Sequence, residues 1–135
     1  MSATYHSLAS GNLTQNWSNT GQITTNDDWA GVPSIEGYLG DEVTAATGVD
    51  PRTLTASGSG ALDVIANQTN PSTLTSGGVA EFDGIANPSI ALNGSGTGDA
   101  PSLILYLNAT NRQDVRVQFS VRDLDASADD AQQQL

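Results

Sequence analysis

Residues 102–125, SLILYLNATNRQDVRVQFSVRDLD, carry the clearest strand signal in the chain and limit most strongly what it can fold into. From residue 115 to residue 121, apolar and polar side chains alternate, which gives a strand one apolar face and one solvated face. Residues 103–107 are apolar at every position and predict a central strand that is buried on both faces. The polar run 108–114 between them predicts a long hairpin loop. Because a hairpin cannot bury its own apolar face, this pair requires a second sheet.

The composition favours short strands over helices. The chain has 135 residues, a length typical of one domain, of which 37% are hydrophobic and 5% aromatic. A sandwich of short strands tolerates so lean a core because each strand needs only alternate apolar positions. Lysine is absent and glutamate is rare, so helix-forming composition is scarce. The sequence therefore predicts an all-β fold, specifically a jelly-roll-like antiparallel β-sandwich.

Turn residues divide the chain into about seven or eight short candidate strands, a spacing typical of a sandwich. Residues 1–11 are interpreted as a polar lead-in, and residues 12–135 as a single β-sandwich module. Besides the pair described above, strands are predicted at residues 12–18, continued after a turn at residues 21–25, and at residues 34–39, 61–66, 79–83 and 89–92, and residues 52–56 could add a short β segment.

The net charge of −11 excludes several classes of partner. Four arginines in an acidic chain cannot supply the basic groove through which proteins bind nucleic acid directly, and the charge also disfavours anionic membrane surfaces. No stretch approaches the ~18 apolar residues of a membrane span. Cysteine is absent, which excludes disulfides and thiol chemistry. The chain also lacks a visible signal peptide, so an exported protein would carry its signal elsewhere.

Catalytic patterns are weak throughout the sequence. His6 is the single histidine and lies in the polar lead-in, and no Gly-x-Ser-x-Gly nucleophile motif occurs. Residues 94–99, GSGTGD, resemble a phosphate loop but lack the Gly-Lys-Ser/Thr ending and a following helix. The acidic side chains offer carboxylate pairs only at the frequency that chance provides. We therefore expect the chain not to be an enzyme.

Calcium binding is the chemistry that the residues favour most. Hard cations bind several carboxylate and carbonyl oxygens on loops that can curl around the ion. Two acidic segments offer such oxygens, residues 26–28 and residues 123–130. The alternative is that both are solvated loops of an acidic surface. The predicted Ca²⁺ ligands are Asp27, Asp28, Asp123, Asp125 and Asp129.

Carbohydrate binding is an alternative function, because glycans stack on exposed aromatic side chains. The candidate platforms are Trp17, Trp29 and Tyr38. In a chain with so few aromatics, the competing interpretation places these side chains in the core.

Four segments resemble an N-terminal-type β-sandwich module of large secreted bacterial multidomain proteins. They are NLTQNWSNTGQITTNDDWAGVPSIEGYLGD, the turn Val-Asp-Pro at residues 49–51, GVAEFDGIANPSIALNGSGTGDAPSLILYLNAT and VQFSVRDLDASADDAQQQL. Related modules are found ahead of Calx-beta, lamin-tail, Ig-like, calcium-repeat or endonuclease/exonuclease/phosphatase domains. The resemblance extends from about residue 12 to residue 135 and includes no catalytic signature.

The resemblance implies a non-catalytic extracellular or cell-surface module whose partners are adjacent domains of a larger chain, and glycans in the carbohydrate-binding alternative. A further alternative is the N-terminal segment of a secreted hydrolase, such as a nuclease, whose catalytic domain lies downstream. Modules of this kind continue past the Ala-Asp-Asp-Ala-Gln-Gln-Gln segment into further strands, whereas this sequence ends at Leu135. We therefore expect a truncated sandwich with an unpaired edge, which would favour association.

Overall fold

The structure is a computed structural model, and it describes residues 4–41 and 62–125. These residues form short strands and a single 3₁₀ turn, which confirms the all-β class. The elements are β1 (His6–Ser7), β2 (Ile35–Tyr38), β3 (Ile65–Gln68), the 3₁₀ turn (Pro71–Thr73), β4 (Gly78–Phe82), β5 (Ser89–Asn93), β6 (Ser102–Leu105) and β7 (Leu107–Asn108). In this part of the chain, no helix is long and apolar enough to cross a membrane.

The strands form three small sheets. β2 pairs antiparallel with β6, and β1 pairs parallel with β7. The third sheet has the order β3-β4-β5, in which β4 runs parallel to β3 and antiparallel to β5. Tyr106 joins the first two sheets, because its N–H donates to the carbonyl of Ser34 and its carbonyl accepts from the N–H of His6. The segment that precedes β3 joins β2 to the third sheet through a bridge between Tyr38 and Leu62.

The core draws its residues from β2, β3, β4 and the segments that precede β2 and β3. All five residues of β4 are buried, as expected for the central strand of its sheet. Burying a valine or phenylalanine side chain completely contributes roughly 1.5–3 kcal/mol each. The main buried cluster comprises Ile23, Trp29, Val32, Ile35, Val64, Ala66 and Val79.

Several predicted strands are confirmed. Residues 34–39, 79–83 and 89–92 contain or overlap β2, β4 and β5, and residues 61–66 overlap the beginning of β3. The predicted strand at residues 52–56 lies outside the described residues. His6–Ser7, which belong to the predicted lead-in, form β1.

Residues 12–18 and 21–25 are not strands, contrary to the prediction. Side-chain oxygens of Gln15 and Asn16 accept the N–H groups of Asn16, Trp17 and Ser18, so local turns use the groups that a strand would need. Trp17 also has a φ of 61°, which is incompatible with an extended strand.

The predicted hairpin over residues 102–125 is wrong. β6 pairs with β2, where Leu103 lies opposite Gly37 and Leu105 lies opposite Ile35. Residues 115–121 are in no strand. The physical reason is that β2 offers β6 a buried partner face, whereas periodicity alone does not choose among partners that lie far apart in sequence.

A β-bulge interrupts the pairing of β3 with β4. Ile65 lies opposite Ala80 and Gln68 lies opposite Phe82. Between these two pairs β3 therefore contains one more residue than β4. Asn67 lies within this irregularity and adopts a left-handed φ of 58°, which asparagine tolerates better than most residues.

Candidate functional site

Asp63 lies where the segment before β3 meets both β2 and β4. Its N–H donates to the carbonyl of Gly37 at 3.0 Å, and its carbonyl accepts from Nε1 of Trp29 at 3.1 Å. Its carboxylate Oδ2 accepts the N–H of Val79 at 2.5 Å. One residue therefore joins two sheets and anchors the buried indole ring.

Two glycines make this junction sterically possible. A Cβ on Gly37 would lie 2.4 Å from Cζ2 of Trp29 and 2.8 Å from the carbonyl oxygen of Asp63. Gly78 has a φ of 118°, and a Cβ there would lie 2.1 Å from Oδ2 of Asp63. The close approach of the indole ring and the carboxylate to the backbone thus depends on glycine at both positions.

The loop at residues 26–27 holds the outer edge of β3. Oδ1 of Asp27 accepts the N–H of Val64 at 3.2 Å, and the N–H of Asp27 donates to the carbonyl of Val64 at 3.0 Å. Oδ1 of Asn26 accepts the N–H of Ala66 at 2.9 Å. These side chains satisfy backbone groups that would otherwise form an unpaired sheet edge.

Glu81 performs a comparable role at the bulge. It is buried on β4, and its Oε2 accepts the N–H of Asn67 at 3.2 Å. Nδ2 of Asn67 donates in turn to the carbonyl of Thr24 at 3.3 Å. The carboxylate replaces a ladder hydrogen bond that the bulge removes.

Burial raises the pKa of both inward carboxyl groups. For Asp63, burial is the largest cause; the hydrogen bond from Val79 opposes it, and the charge of Asp27 raises the pKa further. For Glu81, burial also dominates, the hydrogen bond from Asn67 opposes it, and the charge of Asp83 adds to the increase. Desolvation disfavours the ionised form in each case.

The predicted calcium ligands lie on separate local motifs. Asp27 contacts β3 as described, and Oδ1 of Asp28 accepts the N–H of Ala30 at 2.9 Å. Oδ1 of Asp123 accepts the N–H of Asp125 at 3.2 Å. Within residues 4–41 and 62–125, no group of three or more His, Cys, Asp or Glu side chains is placed to hold a metal ion. The fifth predicted ligand, Asp129, lies outside the described residues.

The aromatic residues that could form a carbohydrate platform are mostly in the core. Trp29 is 5% exposed and Tyr38 is 7% exposed. Trp17 is half-buried and packs edge-to-face on Trp29, with ring centroids 6.4 Å apart. A buried ring cannot stack on a glycan, so only Trp17 among the three retains an accessible surface.

A second polar cluster lies beside β2. The hydroxyl of Tyr38 donates to Oε2 of Glu36 at 2.7 Å, and it lies 2.7 Å from the hydroxyl of Tyr106. Because the single proton of Tyr38 is committed to Glu36, Tyr106 donates to Tyr38. The ring of Tyr5 packs edge-to-face on Tyr106. Burial is the main cause that raises the pKa of both Tyr38 and Tyr106.

The single histidine forms a local hydrogen bond, and the two depressions described below are shallow. Nε2 of His6 donates to the carbonyl of Gly11 at 2.9 Å. Two shallow depressions are lined by residues 14–16 and by residues 111–113, where amide side chains predominate.

Sequence reasoning missed Asp63 and Glu81. Each stands alone among apolar neighbours, in LDVIA and VAEF. A carboxylate inside an apolar strand must find hydrogen-bond donors, because burying it without a partner is costly. That isolated position is the signal that could have identified them.

No family model, curated protein or solved structure matches the chain.

Proposed function

We propose that the chain is a non-catalytic extracellular β-sandwich module of a larger secreted or surface protein. The observation that carries this proposal is that polar side chains hold backbone groups of neighbouring elements. Asp63, Glu81, Asn26 and Asp27 each accept a backbone N–H from another element. In the described part of the chain these groups hold loops against sheets, as polar groups do in a structural module.

The jelly-roll-like sandwich is part of the same proposal. It is supported by Ile35 of β2, which lies in one buried cluster with Val64 and with Val79 of β4. The β2-β6 sheet and the β3-β4-β5 sheet thus bury residues in a common core, as the two layers of a sandwich do. The bonds of Asp63 to Gly37 of β2 and to Val79 of β4 also support it, because they join an element of one sheet to an element of the other.

The module proposal is tested by locating the protein in its source organism. An antibody raised against the purified chain would be used to probe intracellular, surface and culture-medium fractions. We expect a polypeptide longer than 135 residues in the surface or medium fraction. A product confined to the intracellular fraction would contradict export, and a product of the chain's own length would contradict membership of a larger protein.

We also propose that Ca²⁺ stabilises the module, with Asp27, Asp28, Asp123, Asp125 and Asp129 as ligands. The repulsion between Asp27 and Asp63 supports a role for a cation near the first loop, because a cation would relieve it. The described aspartates do not form a group of three, so an ion there would also need carbonyl or amide oxygens.

Thermal unfolding with Ca²⁺ and with a chelator tests this part. An ion that binds only the native state adds about 2.7 kcal/mol at a concentration of about 100 times its Kd, so Tm should rise with calcium. The Asp27→Asn variant should lose that increase, whereas Asp99→Asn, on an exposed loop, should keep it. A Tm that is unchanged at millimolar calcium excludes the site.

A further inference from the structure

Residues 115–121 present an apolar row to solvent. The exposed fractions are 47% for Val115, 60% for Val117, 57% for Phe119 and 60% for Val121. Within the described part of the chain, residues 113–121 make no hydrogen bond, so their backbone donors and acceptors are available. An alternating apolar segment with free backbone groups has what is needed to add to the edge of a sheet.

A sheet edge lies beside the end of this segment. Among the residues that the structure describes, β5 is the last strand of its sheet and pairs on one side only, with β4. Leu92 on β5 is 38% exposed. The guanidinium of Arg122 donates to the carbonyl of Asn87 at 2.6 Å and to Oγ of Ser89 at 2.9 Å, next to the beginning of β5. The segment therefore ends at the strand whose outer edge is open.

The charge of the segment is opposite to that of the rest of the chain. Three of the four basic residues, Arg112, Arg116 and Arg122, lie within eleven positions of each other, together with the single acidic residue Asp114. The segment 112–122 therefore carries a charge of +2, which leaves −13 on the remainder of a chain whose total is −11. Such a segment is attracted to a strongly acidic surface, and a second copy of this chain provides one.

We propose that residues 115–121 form an association strand, through which two copies of this chain pair. The strand of one copy adds to the open edge of β5 in the other. Val117 and Phe119 face the apolar side of that edge, where Leu92 is exposed, and the arginines face acidic surface. Each copy has one strand to give and one edge to receive, and two copies that exchange these strands reciprocally form a closed two-fold dimer. This inference goes beyond the proposed function, because self-association of the purified chain does not depend on export or on a downstream domain.

Sedimentation velocity on the purified 135-residue chain, across a wide range of protein concentration, tests the inference. We expect a monomer–dimer equilibrium that weakens as salt is added, because added ions screen the attraction between the basic segment and the acidic surface. The double variant Val117→Ser, Phe119→Ser should weaken dimerisation by at least about tenfold, since it removes two apolar side chains from the contact. Gln118→Ser, at an alternate position of the same segment, is the matched control and should leave the dimer unchanged.

Three results would overturn the inference. If the chain stays monomeric at every concentration, the apolar row does not pair two copies of this chain. A dimer that the double variant leaves intact uses another surface. A marked fall in the Tm of the double variant would mean that the row packs within its own chain, because removing solvent-exposed side chains should leave monomer stability nearly unchanged.

Discussion

The carboxylate of Asp63 accepts the backbone N–H of Val79, which fixes the beginning of β4 to the segment before β3. Val79 is fully buried, so its N–H has no access to solvent if that acceptor is lost. The backbone of Asp63 also forms hydrogen bonds with the carbonyl of Gly37 and with the indole N–H of Trp29. Asp63 therefore connects β2, β4 and the buried Trp29 by hydrogen bonds.

Asp63→Ala is expected to lower the free energy of unfolding by about 1–3 kcal/mol, because it leaves a buried N–H without a partner. Urea unfolding followed by circular dichroism measures the change. Asp99→Ala removes an equally charged carboxylate from an exposed loop and should alter stability by no more than about 0.5 kcal/mol. Equal losses in the two variants would show that net charge, and not the bond to Val79, sets the effect.

Stability is expected to fall as the pH rises above the ordinary carboxyl range. Burial raises the pKa of Asp63 from 3.8 and that of Glu81 from 4.5, so the folded chain binds protons more tightly than the unfolded chain at both positions. These two carboxyl groups stabilise the fold fully when the pH is below their ordinary pKa values. That stabilisation is lost as the pH rises through their raised pKa values in the folded chain.

Urea unfolding at a series of pH values measures this dependence. The double variant Asp63→Asn, Glu81→Gln should flatten it, because neither replacement titrates and both retain an oxygen acceptor. Asp99→Asn, which lowers the negative charge without altering a buried group, should keep the slope. A slope that survives the double variant would assign the pH dependence to general charge repulsion instead.

Gly37→Ala is expected to destabilise the fold by about 1–3 kcal/mol, because the added methyl group overlaps the indole of Trp29 and the carbonyl of Asp63. The fluorescence of the buried tryptophan should shift to longer wavelength as the ring is displaced toward water. Gly94→Ala is the control, since a Cβ there meets nothing within 4 Å. An unshifted spectrum with unchanged stability would mean that the ring and β2 are not in contact.

Asn67→Val should cost about 1–3 kcal/mol, because a β-branched residue strongly resists the left-handed φ of 58° at the bulge. Asn67→Gly accepts that φ readily and should cost less, although it also loses the bond to Thr24. Thermal unfolding of both variants gives the comparison. If valine proves as stable as glycine, the backbone at this position is not left-handed in solution.

The sequence predicts the positions of several strands correctly. The strands β2, β4 and β5 are found where short apolar segments between turn residues predict them. Residues 12–18 alternate in the same way but form turns, because Gln15 and Asn16 supply local acceptors that compete with a sheet. Alternation alone does not reveal this competition.

Strand partners and site geometry are much less predictable than strand positions. Residues 115–121 have the clearest alternation in the chain, yet β6 pairs with β2, far away in sequence. The acidic runs predict ligands at Asp28 and Asp123, which form local turns, whereas Asp63 and Glu81 bind backbone N–H groups beside the core. Composition identifies dense clusters, but the energetic role of a carboxylate depends on the donors that folding brings to it.

The parallel pairing of β1 with β7 affects the order in which the strands can pair while the chain is being synthesised. His6 lies opposite Leu107, so β1 leaves the ribosome long before its partner strand does. A nascent chain cannot close this pair until β7 has emerged, although β4 and β5, which are close in sequence, can pair much earlier. Until then β1 remains accessible to proteases and to chaperones that bind extended chain.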